Sequence, residues 1–194
     1  MESASPKQGS ITLYTGPMKS GKSEELLNKL NRAHYEKTPY IAFRPHVPKL
    51  SRVIKARNLR FRVTARHINP NRPELMARFI GDCRIIAVDE AQFFQKSFND
   101  LLLDWYRDGR KVYLTALDTT FDGEIWPIVS QLKMLPEVKI QNRAAVCELC
   151  GQRATRTFKK PDAPKGQVLI GDGQFYQARC YHCWSIGQNE KKSA

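Results

Sequence analysis

One short run near the N-terminus constrains this chain more than any other feature. It reads Gly16-Pro17-Met18-Lys19-Ser20-Gly21-Lys22-Ser23 and fits the phosphate-loop pattern G-x-x-x-x-G-K-[ST] at every position. A short apolar, β-prone segment precedes it at residues 11–15. The residues after it place apolar side chains on one helical face: Leu26, Leu27, Leu30 and Ala33. A strand, a glycine-bearing turn and a helix are the context of a true phosphate loop, so a chance match is the weaker interpretation.

Each part of such a loop has a physical role toward a nucleotide. Glycines let backbone N–H groups turn inward around phosphate oxygens, and the following helix adds the positive end of its dipole. We expect Lys22 to supply charge at the β- and γ-phosphates of ATP, and the Ser23 hydroxyl to bind Mg²⁺. Lys19 also lies inside the loop, and we expect its side chain to point to solvent.

The rest of the N-terminal three-quarters alternates between strand and helix patterns. Strands are predicted at residues 40–43, 85–88, 111–117 and 138–140, and helices at residues 94–107 and 128–135, with a short helix opened by Pro73. The run 85–88 is apolar throughout, as in strands buried on both faces of a parallel sheet. The alternation predicts an α/β domain with a parallel sheet and helices on both faces, spanning residues 10–143 after a disordered tail, 1–9.

Two adjacent carboxylates, Asp89 and Glu90, directly follow the buried strand. Ligands of open α/β sheets bind at the carboxyl ends of the strands. We therefore expect Asp89 to be the carboxylate on the Mg²⁺ side of the site, as in other P-loop enzymes. Glu90 would act as a general base toward a hydroxyl or water that attacks the γ-phosphate. Either carboxylate could instead be a helix cap or a surface charge.

Four of the five cysteines form two C-x-x-C pairs, Cys147 with Cys150 and Cys180 with Cys183. Four thiolates suit a closed, structural, tetrahedral Zn²⁺ site; free thiols or a redox pair are the alternatives. His182 should then be exposed, not a ligand. Such a metal would close residues 151–179 at their base, which makes that segment a candidate substrate lid. We predict a zinc-binding domain at 144–187 and a disordered tail at 188–194.

The net charge of +13 attracts phosphates of any kind, including those of nucleic acid, although a solvated basic surface is the simpler interpretation. No run of about 20 apolar residues is present, so we expect no membrane span. Residues 1–10 lack the apolar core of a signal peptide. A cytoplasmic location is therefore expected, with reduced cysteines and with Cys83 as a buried small residue.

Together these features resemble the type II thymidine kinases over roughly residues 9–185. The matching residues are the phosphate loop, residues 89–94, residues 116–118 with Phe121, both cysteine pairs, and Ile170-Gly171 with Tyr176. The resemblance implies a RecA-like P-loop domain with a parallel sheet, plus a small zinc-binding domain that carries a lasso loop. It further implies ATP-dependent phosphorylation of the 5′-hydroxyl of thymidine or a related pyrimidine deoxynucleoside, with Mg²⁺ and structural Zn²⁺, in a homotetramer.

The resemblance also assigns residues. Glu90 matches the base that acts on the 5′-hydroxyl, and Arg52 matches an arginine of the nucleotide site. The nucleoside-binding positions are Met18, Phe93, Leu117, Phe121, Thr157, Ile170, Gly171 and Tyr176.

This chain departs from the family pattern at several places. Lys19 stands where an aromatic residue is usual, Leu50-Ser51-Arg52 where Asp-x-Arg is usual, and Trp126 where a phenylalanine is usual; Asp172 interrupts a common Gly-Gly. These changes bear on the choice of substrate more than on the reaction type.

Two other functions remain open at this level. One is a P-loop ATPase or a kinase of a different or modified nucleoside. The other is a zinc-containing nucleic-acid-binding protein with a vestigial phosphate loop, which the basic charge favours and the paired carboxylates disfavour.

Overall fold

A computed structural model describes residues 9–56, 58–164 and 173–193. Its strands, in chain order, are β1 (Ser10–Thr15), β2 (Tyr40–Pro45), β3 (Val53–Ile54), β4 (Val63–Thr64), β5 (Arg66–Ile68), β6 (Ile85–Val88), β7 (Lys111–Ala116), β8 (Val138–Asn142), β9 (Ala145–Val146), β10 (Arg153–Ala154), β11 (Arg156–Lys159) and β12 (Tyr176–Arg179). The α-helices are α1 (Lys22–Tyr35), α2 (Phe98–Arg107), α3 (Pro127–Met134) and α4 (Tyr181–Ser193), and 3₁₀ turns lie at Pro73–Phe79, Ala91–Phe93 and Gly173–Phe175.

Six strands form the central sheet, in the order β5-β2-β6-β7-β1-β8. All of its pairings are parallel. Alternate side chains of each strand enter two apolar clusters on opposite faces: Ile86 and Val88 pack with α2 and α3, whereas Ile85 and Ala87 pack with α1. The predicted α/β fold with helices on both faces is therefore confirmed.

Strand order decides where the site lies. The phosphate loop follows β1, Asp89 and Glu90 follow β6, and Leu117 follows β7. Because β6, β7 and β1 are neighbours and parallel, their carboxyl ends meet at one edge of the sheet. Groups that are far apart in sequence are thereby brought together.

Two predicted helices differ from those observed. The helix predicted from residue 94 begins at Phe98, because Phe94 is extended (φ −77°, ψ 155°) after the 3₁₀ turn. Phe94 nevertheless stacks on Phe98 in the core, with ring centroids 5.1 Å apart, which explains the helix-like apolar spacing. The helix predicted to open at Pro73 is a 3₁₀ helix.

Beyond β8 the chain forms two small antiparallel pairs, β9 with β10 and β11 with β12, followed by α4. A minor apolar cluster of Cys147, Ala154 and Ala178 joins them. Helix α4 runs to Ser193, so residues 188–193 are helical where a disordered tail was predicted. In the part of the chain with described structure, no helix has the length and apolar character needed to cross a bilayer.

Candidate functional site: a phosphate loop, two carboxylates and a shared cavity

The phosphate loop is held tightly against the end of β8. A Cβ atom at Gly16, where φ is +150°, would lie 2.2 Å from the carbonyl oxygen of Arg143, so only glycine fits there. The ammonium of Lys22 folds back into the loop and donates to the carbonyl of Pro17 at 2.6 Å. Burial lowers the pKa of Lys22, although the nearby carboxylates of Glu90, Asp118 and Asp89 oppose this shift.

Asp89 is completely buried and fully hydrogen-bonded. Its Oδ1 accepts from the Ser23 hydroxyl at 3.3 Å and from the Thr115 hydroxyl. Its Oδ2 accepts from Arg44, with the Nε contact at 2.8 Å. Arg44 also donates to the carbonyl of Ser51 at 2.7 Å. A buried carboxylate needs such a counter-charge, and the structure supplies it from the end of the neighbouring strand β2.

Arg44 and Thr115 are site residues that the sequence reasoning missed. Each lies near the carboxyl end of a strand that flanks β6, and strand order was needed to recognise them. The predicted Arg52 lies elsewhere: it is exposed and does not line the cavity described below.

Glu90 adopts a left-handed backbone conformation (φ 60°), which costs a non-glycine residue about 1–2 kcal/mol. Its backbone N–H donates to Thr115 at 3.2 Å, and its Oε2 accepts from Gln92 at 2.6 Å. Gln92 in turn accepts from the backbone N–H of Leu117 at 3.2 Å. Burial, and then the charge of Asp89, raise the pKa of Glu90, whereas the Gln92 hydrogen bond and Lys22 oppose the rise.

A cavity of about 520 Å³ connects these groups. Its volume lies in the range of small-ligand sites. Most of the predicted site residues line it, namely Met18, Lys19, Ser20, Gly21, Lys22, Ser23, Glu90, Phe93, Leu117, Phe121, Thr157 and Tyr176. Further lining residues that were not predicted as site residues are Glu24, Lys55, Ala56, Asn58, Gln92, Thr119, Thr120 and Trp126. The predicted Ile170 and Gly171 lie outside the described residues.

Four of the side chains that line the cavity are aromatic. Phe93 meets Trp126 edge-on, with centroids 5.3 Å apart, and Phe121 lies 6.3 Å from Tyr176. Helix α4 fixes Phe121 through its carbonyl, which accepts from the indole N–H of Trp184 at 3.0 Å and from Gln188 at 2.6 Å. Flat apolar walls of this kind suit a planar heterocycle.

The four paired cysteines converge, and all four Sγ atoms lie within 4.8 Å of one another. Zinc–sulfur bonds of about 2.3 Å in a tetrahedron place the sulfurs roughly 3.8 Å apart, and Cys150 and Cys180 are 3.6 Å apart. Although burial opposes it, hydrogen bonds from backbone amides lower the pKa of Cys147 to about 6, which favours the thiolate. The donor set therefore fits a structural zinc ion. His182 is exposed and outside this cluster, as predicted.

Two contacts connect the phosphate loop with the cysteine-bearing region. The backbone N–H of Met18 donates to the Thr157 hydroxyl at 3.0 Å. Lys19 does not point freely to solvent, as had been expected. Its ammonium pairs with both carboxylate oxygens of Glu148, at 2.8 and 3.0 Å, because Glu148 extends from the first cysteine pair toward the loop.

A phosphate loop between β1 and α1, with Asp89 beside Ser23 and a cavity at the same edge of the sheet, defines a P-loop nucleotide-binding protein of the α/β class. A family model narrows this class. The thymidine kinase model matches residues 9–184, and the chain belongs to that family.

Individual relatives agree with the family match. The chain is 32% identical over 179 residues to a protein of Mycoplasma genitalium named thymidine kinase, covering 90% of this chain and 82% of that one. It is 30% identical over 191 residues to the thymidine kinase of Ureaplasma urealyticum serovar 10, covering 92% and 83%. Among solved structures, the large terminase of a thermophilic bacteriophage is similar, with a TM-score of 0.43 and 12% identity over 73% of this chain and 42% of that chain.

Proposed function

We propose that this protein transfers the γ-phosphoryl group of ATP to the 5′-hydroxyl of thymidine or a closely related pyrimidine deoxynucleoside. One observation carries the proposal. Glu90 lines the same cavity as the phosphate loop and the aromatic residues Phe121 and Tyr176. A nucleoside whose base lies among the aromatic side chains would direct its hydroxyl toward Glu90 and the phosphates.

The proposed step needs one proton transfer and one phosphoryl transfer. The carboxylate of Glu90 takes the proton of the 5′-hydroxyl as the hydroxyl oxygen forms a bond to the γ-phosphorus. The bond between that phosphorus and the oxygen bridging to the β-phosphate breaks, and ADP leaves. Lys22 and the backbone N–H groups of the loop stabilise the charge on the phosphate oxygens.

Ser23 and Asp89 are the residues that would hold Mg²⁺, which neutralises phosphate charge when bound. Their side chains are adjacent and oxygen-bearing, as this ion requires. Cys147, Cys150, Cys180 and Cys183 would hold the structural zinc ion.

The nucleoside side of the site is proposed at Met18, Phe93, Leu117, Phe121, Thr157 and Tyr176. The family resemblance adds Ile170 and Gly171 to this set, together with a homotetramer and a cytoplasmic location. The homotetramer is checked by the mass of the protein in solution.

The decisive experiment incubates the purified protein with Mg²⁺-ATP and a panel of nucleosides, and measures nucleoside monophosphate and ADP together. We expect equal amounts of the two products, with thymidine or a close relative as the preferred acceptor. Lys22→Ala should lower the rate by about 10²–10³, the usual effect of removing one preorganised charge donor. Lys29→Ala changes an exposed lysine on the same helix and is the matched control.

Two results would contradict the proposal. ADP release without a phosphorylated nucleoside would indicate an ATPase. Salt-sensitive binding to DNA without nucleoside phosphorylation would indicate a nucleic-acid-binding protein.

A further inference from the structure

The proposed reaction leaves one charged contact of the phosphate loop without a role, the ion pair of Lys19 with Glu148. The ammonium lies 2.8 and 3.0 Å from the two carboxylate oxygens. The side chains are 26% and 35% exposed, so the pair is partly shielded from solvent. Lys19 belongs to the nucleotide loop, whereas Glu148 lies between Cys147 and Cys150. The pair therefore joins the nucleotide loop to the cysteine cluster.

Glu148 is held from both cysteine-bearing segments. Its own segment carries the first cysteine pair. Its Oε1 accepts from the backbone N–H of Ala178 at 2.8 Å, and its backbone N–H donates to the Ala178 carbonyl at 3.0 Å. Ala178 lies two residues before Cys180 on β12, so the position of the Glu148 carboxylate depends on how the two cysteine pairs are held together.

Lys19 is the loop residue whose backbone conformation most needs to be stabilised by contacts from the rest of the structure. Its φ of 63° is a left-handed conformation that is unfavourable for a side-chain-bearing residue. Such conformations persist where the surrounding structure holds them. The contact with Glu148 and the neighbouring bond from Met18 to Thr157 supply that support from the cysteine-bearing region.

We propose that the Lys19–Glu148 ion pair couples metal binding at the cysteine cluster to the affinity of the phosphate loop for ATP. With the metal bound, Glu148 is fixed and holds the loop in its binding conformation, so that less conformational entropy is lost when ATP binds. Without the metal, Glu148 moves with its cysteine segment and the loop loses this support. This coupling depends on the proposed function in one respect only, that ATP binds at the phosphate loop.

The test measures the Kd of Mg²⁺-ATP for the full-length protein, without nucleoside, before and after a chelator removes the metal. Partly exposed ion pairs contribute modestly, so metal removal should weaken ATP binding of the wild type about two- to fivefold. Lys19→Met and Glu148→Gln should show that weaker binding from the start and little further change on chelation. Glu36→Gln, which breaks an ion pair with Arg32 on α1, should keep the full metal dependence.

A charge exchange tests the same pair with the metal in place. Lys19→Glu and Glu148→Lys should each weaken ATP binding, and the double variant should recover most of the loss. Wild-type ATP affinity that does not respond to chelation would overturn the inference, as would equal losses in the wild type and both neutral variants, or a double variant no better than the single ones. A wild-type protein that binds no ATP at all would instead refute the proposed function.

Discussion

Asp89 and Glu90 are adjacent in the chain but lie in different environments. Asp89 is held by Arg44, Ser23 and Thr115, so its charge is compensated. Glu90 accepts a hydrogen bond from the neutral amide of Gln92, and burial and the neighbouring Asp89 raise its pKa. Environments that separate two carboxylates in this way commonly separate their roles. Here they favour Asp89 as the metal-side ligand and Glu90 as the base.

The raised pKa of Glu90 predicts the pH dependence of the reaction. Only the ionised carboxylate can accept a proton, and its ionised fraction falls as the pH falls through the pKa. We therefore expect kcat/KM for thymidine to decline on the acid side, at a pH above the range of an ordinary glutamate. Glu90→Gln should lower the rate by about 10²–10⁴ and abolish this decline.

The control for this prediction is Glu74→Gln, which changes an exposed glutamate paired with Arg72 and should leave the profile unchanged. ATP affinity should survive in Glu90→Gln, because Asp89 and Ser23 remain. If ATP affinity falls as far as the rate, Glu90 belongs to the metal site and the assignment to a base is wrong.

Site residues that belong to a contiguous motif could be predicted from the sequence. Site residues that are brought together only by the order of strands in the sheet could not. The phosphate loop and the Asp89-Glu90 pair were identified from local patterns. Arg44 was not, because nothing in its neighbourhood indicates that β2 lies beside β6. The orientation of Lys19 was also predicted wrongly, because its partner Glu148 lies 129 residues away in the chain.

Among the elements, α4 has a role that its sequence did not suggest. It follows the last cysteine and packs against the loop after β7, where Trp184 and Gln188 both donate to the carbonyl of Phe121. The fit is close, because a Cβ atom at Gly123 would lie 2.9 Å from the Trp184 ring. Helix α4 thus fixes one aromatic wall of the cavity from outside.

Removing these donors should affect the nucleoside more than the nucleotide. A neutral hydrogen bond contributes about 0.5–1.5 kcal/mol, so Gln188→Ala and Trp184→Phe should each raise the KM for thymidine about two- to tenfold. The KM for ATP should change little, because the phosphate loop makes no contact with α4 among the bonds described above. Steady-state kinetics with each substrate varied in turn measures both values.

Glu190→Gln is the matched control, since it changes an exposed residue of the same helix without touching Phe121. Equal increases in the KM for ATP and for thymidine would show that α4 supports the fold as a whole. Unchanged KM values would show that the position of Phe121 does not matter for the nucleoside.

Element prediction succeeded where periodicity and burial agree. Five of the six strands of the central sheet were found because they are short, apolar and bounded by turn residues. The edge strand β5 was missed because it is short and lies in a basic, weakly patterned stretch. The start of α2 was missed because Phe94 keeps the helical spacing while its backbone is extended. Helix α4 was not predicted, because residues 188–193 are polar and the helix packs against β11 and β12, which are distant in sequence.

At the scale of the whole molecule, part of the excess positive charge has a local structural role. The Arg179 guanidinium lies 3.4 Å from the centre of the Phe158 ring, and the Lys191 ammonium 3.9 Å from it. Arg66 covers Phe79 at 4.6 Å. Such cation–π contacts stabilise the surroundings of each ring. The large positive net charge is therefore weaker evidence for nucleic-acid binding than its size suggests.

The cysteine cluster also connects the two ends of the site. Strands β11 and β12 lie between the two cysteine pairs, and they carry Thr157 and Tyr176 into the cavity. A role as a substrate lid alone would lead us to expect that loss of the metal affects the nucleoside and leaves the nucleotide untouched. The contacts of Met18 and Lys19 change that expectation to a large effect on the nucleoside and a small one on the nucleotide.

Cys180→Ser tests this expectation, because it removes one ligand of the proposed zinc site. Fixing the backbone of a single residue costs about 1–2 kcal/mol, and 1.4 kcal/mol is a tenfold change in affinity. If the nucleoside must order even one or two residues of the released segment 151–179, thymidine affinity should fall at least about tenfold. ATP affinity should fall only about two- to fivefold, since the phosphate loop keeps its own backbone and Lys22.

Metal analysis of purified wild type and Cys180→Ser gives the metal content of each protein. Separate titrations of ATP and thymidine then give the two dissociation constants. Cys83→Ser is the control, because Cys83 lies outside the cluster and should keep the metal and both affinities. Equal and complete loss of ATP and thymidine binding would mean that the variant has unfolded, and that the cluster stabilises the whole chain. Loss of the metal with undiminished thymidine binding would mean that β11 and β12 hold the nucleoside wall without it, so that the zinc site does not anchor the lid.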